Sequence, residues 1–189
     1  MSDPDEIETP RLRLRRARAG DLDDIHAVLS DREAMRFWST LPHESIEETR
    51  LWLSEMLCAP ASASDDYVVE AAGRVIGKAG CWRLPEIGFI LHSSQWRRGY
   101  AREALQALVP RIFARSDIPA ITADVDPRNQ ASLGLLRGLG FVETGRAART
   151  WNIGGIWCDS IYLALARAAA QPDSPNGTAD DLRAPLGRG

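Results

Sequence analysis

The stretch from Glu86 to Leu105 runs from an apolar strand, through the short basic loop Trp96-Arg97-Arg98-Gly99-Tyr100-Ala101-Arg102, into the start of a helix. Such a junction suits an anion. The first N–H groups of a helix have no intrahelical acceptor, and they point out of its positive dipole end. Gly99 lets a ligand approach the backbone with no Cβ in the way. Arg97, Arg98 and Arg102 can add charge-assisted hydrogen bonds. Types and spacing together describe a cradle for a diphosphate; an ordinary turn with surface arginines is the plainer alternative. Neither GxxxxGK[ST] nor GxGxxG occurs, because Gly134, Gly138 and Gly140 are wrongly spaced for either.

A second stretch has chemistry in it. Asp124-Val125-Asp126-Pro127-Arg128-Asn129-Gln130-Ala131-Ser132 ends a strand and starts a helix that closes on Leu139-Gly140-Phe141. Asn129 also reads simply as the N-cap of that helix. Six tryptophans are present. Of these Trp38, Trp82, Trp151 and Trp157 fall at loops or strand ends, where they could wall a cleft or pack in the core.

The elements that must hold these residues follow from periodicity. Leu12 to Arg15 alternates as a short strand. Leu22, Ile25, Val28 and Leu29 make one helical stripe. A capping box of Ser45 and Glu48 opens a second helix through Ile46, Thr49, Leu53, Met56 and Leu57. Tyr67–Ala71 and Val75–Trp82 flank a turn at Ala72-Gly73-Arg74, and Glu86–Leu91 follows. A helix from Ala101, a strand at Ala120–Val125, a helix over 130–139 and closing strands from Trp151 to Ala166 complete the order. This is mixed α/β without the regular alternation of a Rossmann or barrel fold.

With both stretches in view, the chain resembles the GNAT N-acetyltransferases over roughly Leu12 to Arg167. The strand–Arg-Arg-Gly-Tyr-Ala–helix and the Asn-x-x-Ser…Leu-Gly-Phe segments resemble that family's two central motifs. Gly-Tyr-Ala-x-Glu-Ala, together with the Phe37-Trp38 loop before Ser45, resembles the branch that acetylates N-terminal amines of ribosomal proteins. The resemblance implies an α/β (α+β) fold with a mostly antiparallel central sheet flanked by helices. It also implies acetyl-CoA as co-substrate, held at a splayed pair of central strands. Phe89, Ile90 and Leu91 would offer backbone groups to the pantetheine arm. Arg97, Arg98, Gly99, Tyr100, Ala101 and Arg102 would hold the pyrophosphate, and Asn129 and Ser132 would lie beside the arm. Two positions depart from the family pattern: Trp96 replaces the usual leading Gln or Arg, and Leu136 stands where many relatives place a tyrosine acid.

Amide formation needs a neutral amine and a proton for the departing thiolate. At pH 7, deprotonating an α-amine costs roughly 1.4 kcal/mol and a lysine about 4.6 kcal/mol. A partly buried carboxylate can take that proton. Glu86 is the candidate base, on a face shared with Gly88 and Ile90; a salt bridge to Arg83 or Arg97 is its other reading. Ser132 is the candidate acid, or else a helix-surface hydroxyl. Glu103 reads as an orienter of arginines. Trp38, Trp82 and Trp151 are the candidate acceptor-binding residues. The acceptor is expected to be a peptide or protein N-terminal amine. A polyamine, amino acid or antibiotic amine is the alternative within enzymes, and a non-catalytic acyl-CoA sensor is the alternative outside them.

Bulk properties bound the rest. The 189 residues, formal charge of −3 and pI near 5.7 fit one domain and exclude a large cationic surface for nucleic acid. Cys58, Cys81 and Cys158 form no CxxC and have no histidine at zinc-ligand spacing, so no metal is expected. The acidic start has no apolar signal core, and no run is long enough to cross a bilayer. Cytoplasmic location, no membrane partner and an acetyltransferase domain over 10–167 are therefore expected, with a flexible leader at 1–9 and a disordered tail at 168–189. Oligomeric state is open, a homodimer being one option.

Overall fold

Local chemistry fixes where the helices start. Ser45 accepts from the Glu48 N–H while Glu48 reaches back to the Ser45 backbone, which opens α2 (Ile46–Cys58) as the sequence predicts. In this computed structural model, which describes residues 6–60 and 62–167, the other helices are α1 (Leu22–Leu29), α3 (Tyr100–Arg115) and α4 (Gln130–Arg137). The strands are β1 (Ile7–Glu8), β2 (Arg13–Arg15), β3 (Asp65–Ala71), β4 (Arg74–Arg83), β5 (Glu86–Leu91), β6 (Ala120–Val125), β7 (Val142–Ile153) and β8 (Ile156–Ala166).

The eight strands form one sheet in the order β1-β2-β3-β4-β5-β6-β8-β7. Every neighbouring pair is antiparallel except β5 and β6. Those two run parallel and meet in register only at Glu86 opposite Thr122, where the Thr122 N–H donates to the Pro85 carbonyl at 3.0 Å. Past that point no ladder pair joins them, and the middle of the sheet is split.

Alternation along the strands sends apolar side chains to both faces. Leu14, Tyr67, Val69, Ile121 and Leu163 pack under α3 and α4 against Leu105, Leu108, Ile112, Leu133 and Leu136. Val68, Val75 and Ile90 face α1 and α2, meeting Ile25, Val28, Leu29, Met35 and Met56. Fully burying side chains of this size stabilises by about 1.5–3 kcal/mol each, so both faces hold their helices firmly. Lys78 on β4 is also buried on the α1/α2 face, paired with Asp66 at 2.6 Å and 5.8 Å from the rings of both Trp38 and Trp52. No helix among the described residues is long and apolar enough to cross a membrane.

Two expectations change. Part of the expected leader is tied down: Ile7–Glu8 pair with Arg13 and Leu14, and Glu6 binds Arg13 at 2.6 Å. The cause is a partner strand and ion pair that composition does not reveal. The closing hairpin also begins at Val142, nine residues before Trp151. β7 is an outer strand exposed along most of its length, so no alternation marks it. The expected tail at 168–189 lies outside the described residues.

Candidate active site

A cavity of about 470 Å³ lies where β5 and β6 part. Its walls are β5, the end of β6, the loop and first turn of α3, and the first turns of α4, with Phe37 and Trp38 above. Gly88 has no side chain, and Trp38 lies over it: a Cβ built there would sit 3.8 Å from the indole.

Backbone parity decides what β5 offers to this space. The His92 N–H donates to Ile76 on β4, and the Ile90 carbonyl lies against Gly77 of the same strand. Residues 88, 90 and 92 therefore turn their backbone groups to β4, and Phe89 and Leu91 turn theirs to the gap. The Leu91 carbonyl is already taken by the Trp96 indole N–H at 2.9 Å. Of the three strand residues expected to present backbone groups, Ile90 thus lines the cavity with its backbone engaged in the sheet.

The loop before α3 is an anion site in form. Arg97 (φ 60°) and Gly99 (φ 79°) adopt left-handed conformations, and Gly99 caps the helix. Among the described residues, the N–H groups of 97–102 donate to no protein acceptor; the first to do so is Glu103, to the Gly99 carbonyl at 3.0 Å. The three arginines diverge. Arg97 lines the cavity. Arg98 points to a neighbouring depression with Asp24, Arg74 and His92, and Arg102, a turn into the helix, reaches back to the Gly138 carbonyl at 3.5 Å.

Glu103 orients an arginine outside the loop. Its carboxylate accepts from Thr9 Oγ1 (2.6 Å), the Arg11 N–H (2.9 Å) and Arg11 Nε (2.7 Å). Burial pushes its pKa up, but these hydrogen bonds win and hold the carboxyl below its ordinary range. Arg11 also donates to the Arg98 carbonyl at 2.8 Å, across 87 positions of sequence. No local pattern links positions so far apart, and sequence reasoning missed it.

Glu86 stands where the two strands still touch. The residue as a whole is exposed, yet partial burial of its carboxyl, then the charge of Asp124, raise its pKa. No ion pair to Arg83 or Arg97 forms among the described residues. Asp124 lines the cavity and accepts from the Trp151 indole N–H at 2.9 Å. The bulge in β7 between Ala147 and Trp151 accompanies this reach across the sheet. Trp82 instead packs against the α1/α2 core and does not line the cavity.

Asn129 and Ser132 line the cavity together, and Asn129 Oδ1 accepts from the Ser132 N–H at 3.1 Å. Capping and proximity to the cavity thus coexist. Asn129→Ala is expected to lower stability by about 1 kcal/mol through the lost cap, read as a drop in melting temperature. Leu136 is fully buried and lines the cavity, so no phenol occupies that place. Among the described residues no group of three or more His, Cys, Asp or Glu could hold a metal ion.

Residues 11–142 match the acetyltransferase (GNAT) domain family. The chain is 30% identical over 168 residues to an L-methionine sulfoximine/L-methionine sulfone acetyltransferase of Pseudomonas paraeruginosa, covering 80% of this chain and 92% of the relative. It is 27% identical over 158 residues to the spermidine N(1)-acetyltransferase of Vibrio cholerae, covering 79% and 89% respectively. The solved RimL ribosomal L7/L12 alpha-N-protein acetyltransferase in complex with coenzyme A superposes with a TM-score of 0.76 at 23% identity, over 85% of this chain and 97% of that one. With a split central sheet, a loop of unpaired amides beside it and the family's domain matched across 11–142, the chain belongs to the GNAT acetyltransferases.

Proposed function

We propose that this protein transfers the acetyl group of acetyl-CoA to a primary amine at the β5–β6 gap, and that the amine is the N-terminus of a peptide or protein. The observation that carries the cofactor half is the run of N–H groups at 97–102 without acceptors, beside a gap where β5 lacks its neighbour. These groups fit a diphosphate and an extended amide-bearing arm. The Phe89 backbone and the Leu91 N–H pair with the arm as an added strand would. The amides of 97–102 receive the diphosphate with Arg97 beside them. Bound acetyl-CoA supplies an activated acetyl group on a thiol leaving group.

The chain's own residues do the proton work. Glu86 accepts the proton of the attacking amine, directly or through one water, with a pKa raised toward the working range. Ser132 Oγ, on the first turn of α4, donates toward the thiolate; the buried Leu136 cannot. Trp38 positions the acceptor from above, and Asp124, oriented by Trp151, faces its positive charge.

The open rim supports a peptide acceptor. Trp151, Trp157 and Leu41 are exposed on the β7–β8 tip and the α1–α2 connection, which leaves a way out for a continuing chain. A second reading, a small cationic amine, draws support from Glu33 and Asp124 in the cavity wall, and from the spermidine-acetylating relative. Thiol release from acetyl-CoA, followed with a free-N-terminal peptide, the same peptide N-blocked with an internal lysine, spermidine and free amino acids, separates the readings. Turnover is expected with the free-N-terminal peptide and not with its blocked form. Turnover with spermidine alone would overturn the peptide assignment, and CoA binding without thiol release from any amine would overturn the enzyme.

A further inference from the structure

We propose that Arg11 is a positioning residue: it locks the Arg98–Gly99 peptide so that the Gly99 N–H stays in the anion-receiving run. The inference rests on the acetyl-CoA reading above and adds a residue outside the loop. In a trans peptide the carbonyl and the following N–H point in opposite directions. Arg11 Nη1 holds the Arg98 carbonyl at 2.8 Å, so the Gly99 N–H is turned away from Arg11. A lock is needed because the neighbouring torsions are permissive. Gly99 sits at φ 79°, and glycine crosses between left- and right-handed backbone at little cost, so the 98–99 peptide is free to flip. Flipped, it would present a carbonyl oxygen to the phosphates.

Arg11 is itself held by Glu103 and Tyr100. Glu103 Oε2 takes Arg11 Nε at 2.7 Å and Nη2 at 2.6 Å. Oε1 takes the Arg11 backbone N–H at 2.9 Å and the Thr9 hydroxyl at 2.6 Å. The guanidinium lies over the Tyr100 ring, 4.8 Å from its centre. These contacts leave Nη1 free to aim at the Arg98 carbonyl. Glu103 thus acts on the loop through a residue of the N-terminal segment. The Arg11 side chain is 48% exposed, so truncating it opens no internal cavity.

The test measures CoA binding to the full chain by calorimetry, alongside kcat/KM for acetyl-CoA and for S-acetylpantetheine, which lacks the diphosphate. Arg11→Ala is expected to weaken CoA binding about tenfold to a hundredfold, the worth of one hydrogen bond to a charged group. The preference for acetyl-CoA over S-acetylpantetheine is expected to fall by the same factor. Arg11→Lys, which keeps the charge and loses the fork, is expected to show a loss as well, and it decides the matter should the alanine variant melt early. Wild-type CoA affinity in either folded variant overturns the inference, as does an equal loss with both thioesters, which would mark a general structural role. Failure of the unaltered protein to bind CoA overturns the acetyl-CoA reading and this inference with it.

Discussion

Gly99→Glu is expected to abolish acetyl-CoA binding while the chain still folds. Three effects act in one direction. The position has φ 79°, a left-handed conformation that strains any residue with a Cβ by roughly 1–2 kcal/mol. A Cβ there would lie 3.4 Å from Arg11 Nη2, so the new carboxylate competes with Glu103 for Arg11. Most of the loss is electrostatic, because a fixed negative charge beside Arg11 would repel the diphosphate and draw the guanidinium off the Arg98 carbonyl. Losing two charge-assisted hydrogen bonds at about 1.5–3 kcal/mol each corresponds to a fall in affinity of about a hundredfold to ten-thousandfold. Calorimetric titration with CoA reads this, and Gly99→Ala, which adds strain and no charge, is expected to lose much less. Unchanged affinity in the glutamate variant would mean that the diphosphate lies elsewhere.

Glu86→Gln is expected to lower kcat about a hundredfold to ten-thousandfold near neutral pH, with CoA affinity intact. Only the carboxylate form can take a proton. In the unaltered protein kcat/KM should therefore decline as pH falls through the raised pKa of Glu86, and the variant should lack that limb. At high pH the acceptor loses its proton to solvent, and the two rates should converge. The stability sign separates this from unfolding. An acid whose folded pKa is raised stabilises the fold below its unfolded pKa, and that contribution is lost as pH rises through the folded value. At neutral pH the glutamine variant should accordingly melt no lower than the parent. A pH–rate profile with wild-type rates in the variant would remove Glu86 as the base.

Much of this was legible in the chain itself. The Ser45–Glu48 box, the turn at Ala72-Gly73 and the strand–loop–helix around Gly99 are local signals, each encoded within a few residues, and the structure has them as read. The split between β5 and β6 was reached only through family resemblance, since no local pattern reports that two strands fail to pair. Arg11 and the Trp151–Asp124 contact depend on chain segments brought together from far apart. The three loop arginines illustrate a different limit. Composition clusters Arg97, Arg98 and Arg102, but backbone direction sends them to the cavity, to its neighbour and to the Gly138 carbonyl.

The parting of β5 from β6 works like a pair of compasses, with Glu86 and Thr122 at the pivot. When such a figure opens or closes, its arms sweep through space and its vertex barely moves. The carboxyl group credited with proton removal stands at that vertex. The Phe89 and Leu91 peptides lie further out, where the arms stand apart and leave room for an elongated guest. The opening thus widens with distance from Glu86, so a long guest enters at the broad end while the proposed proton acceptor stays at the narrow one.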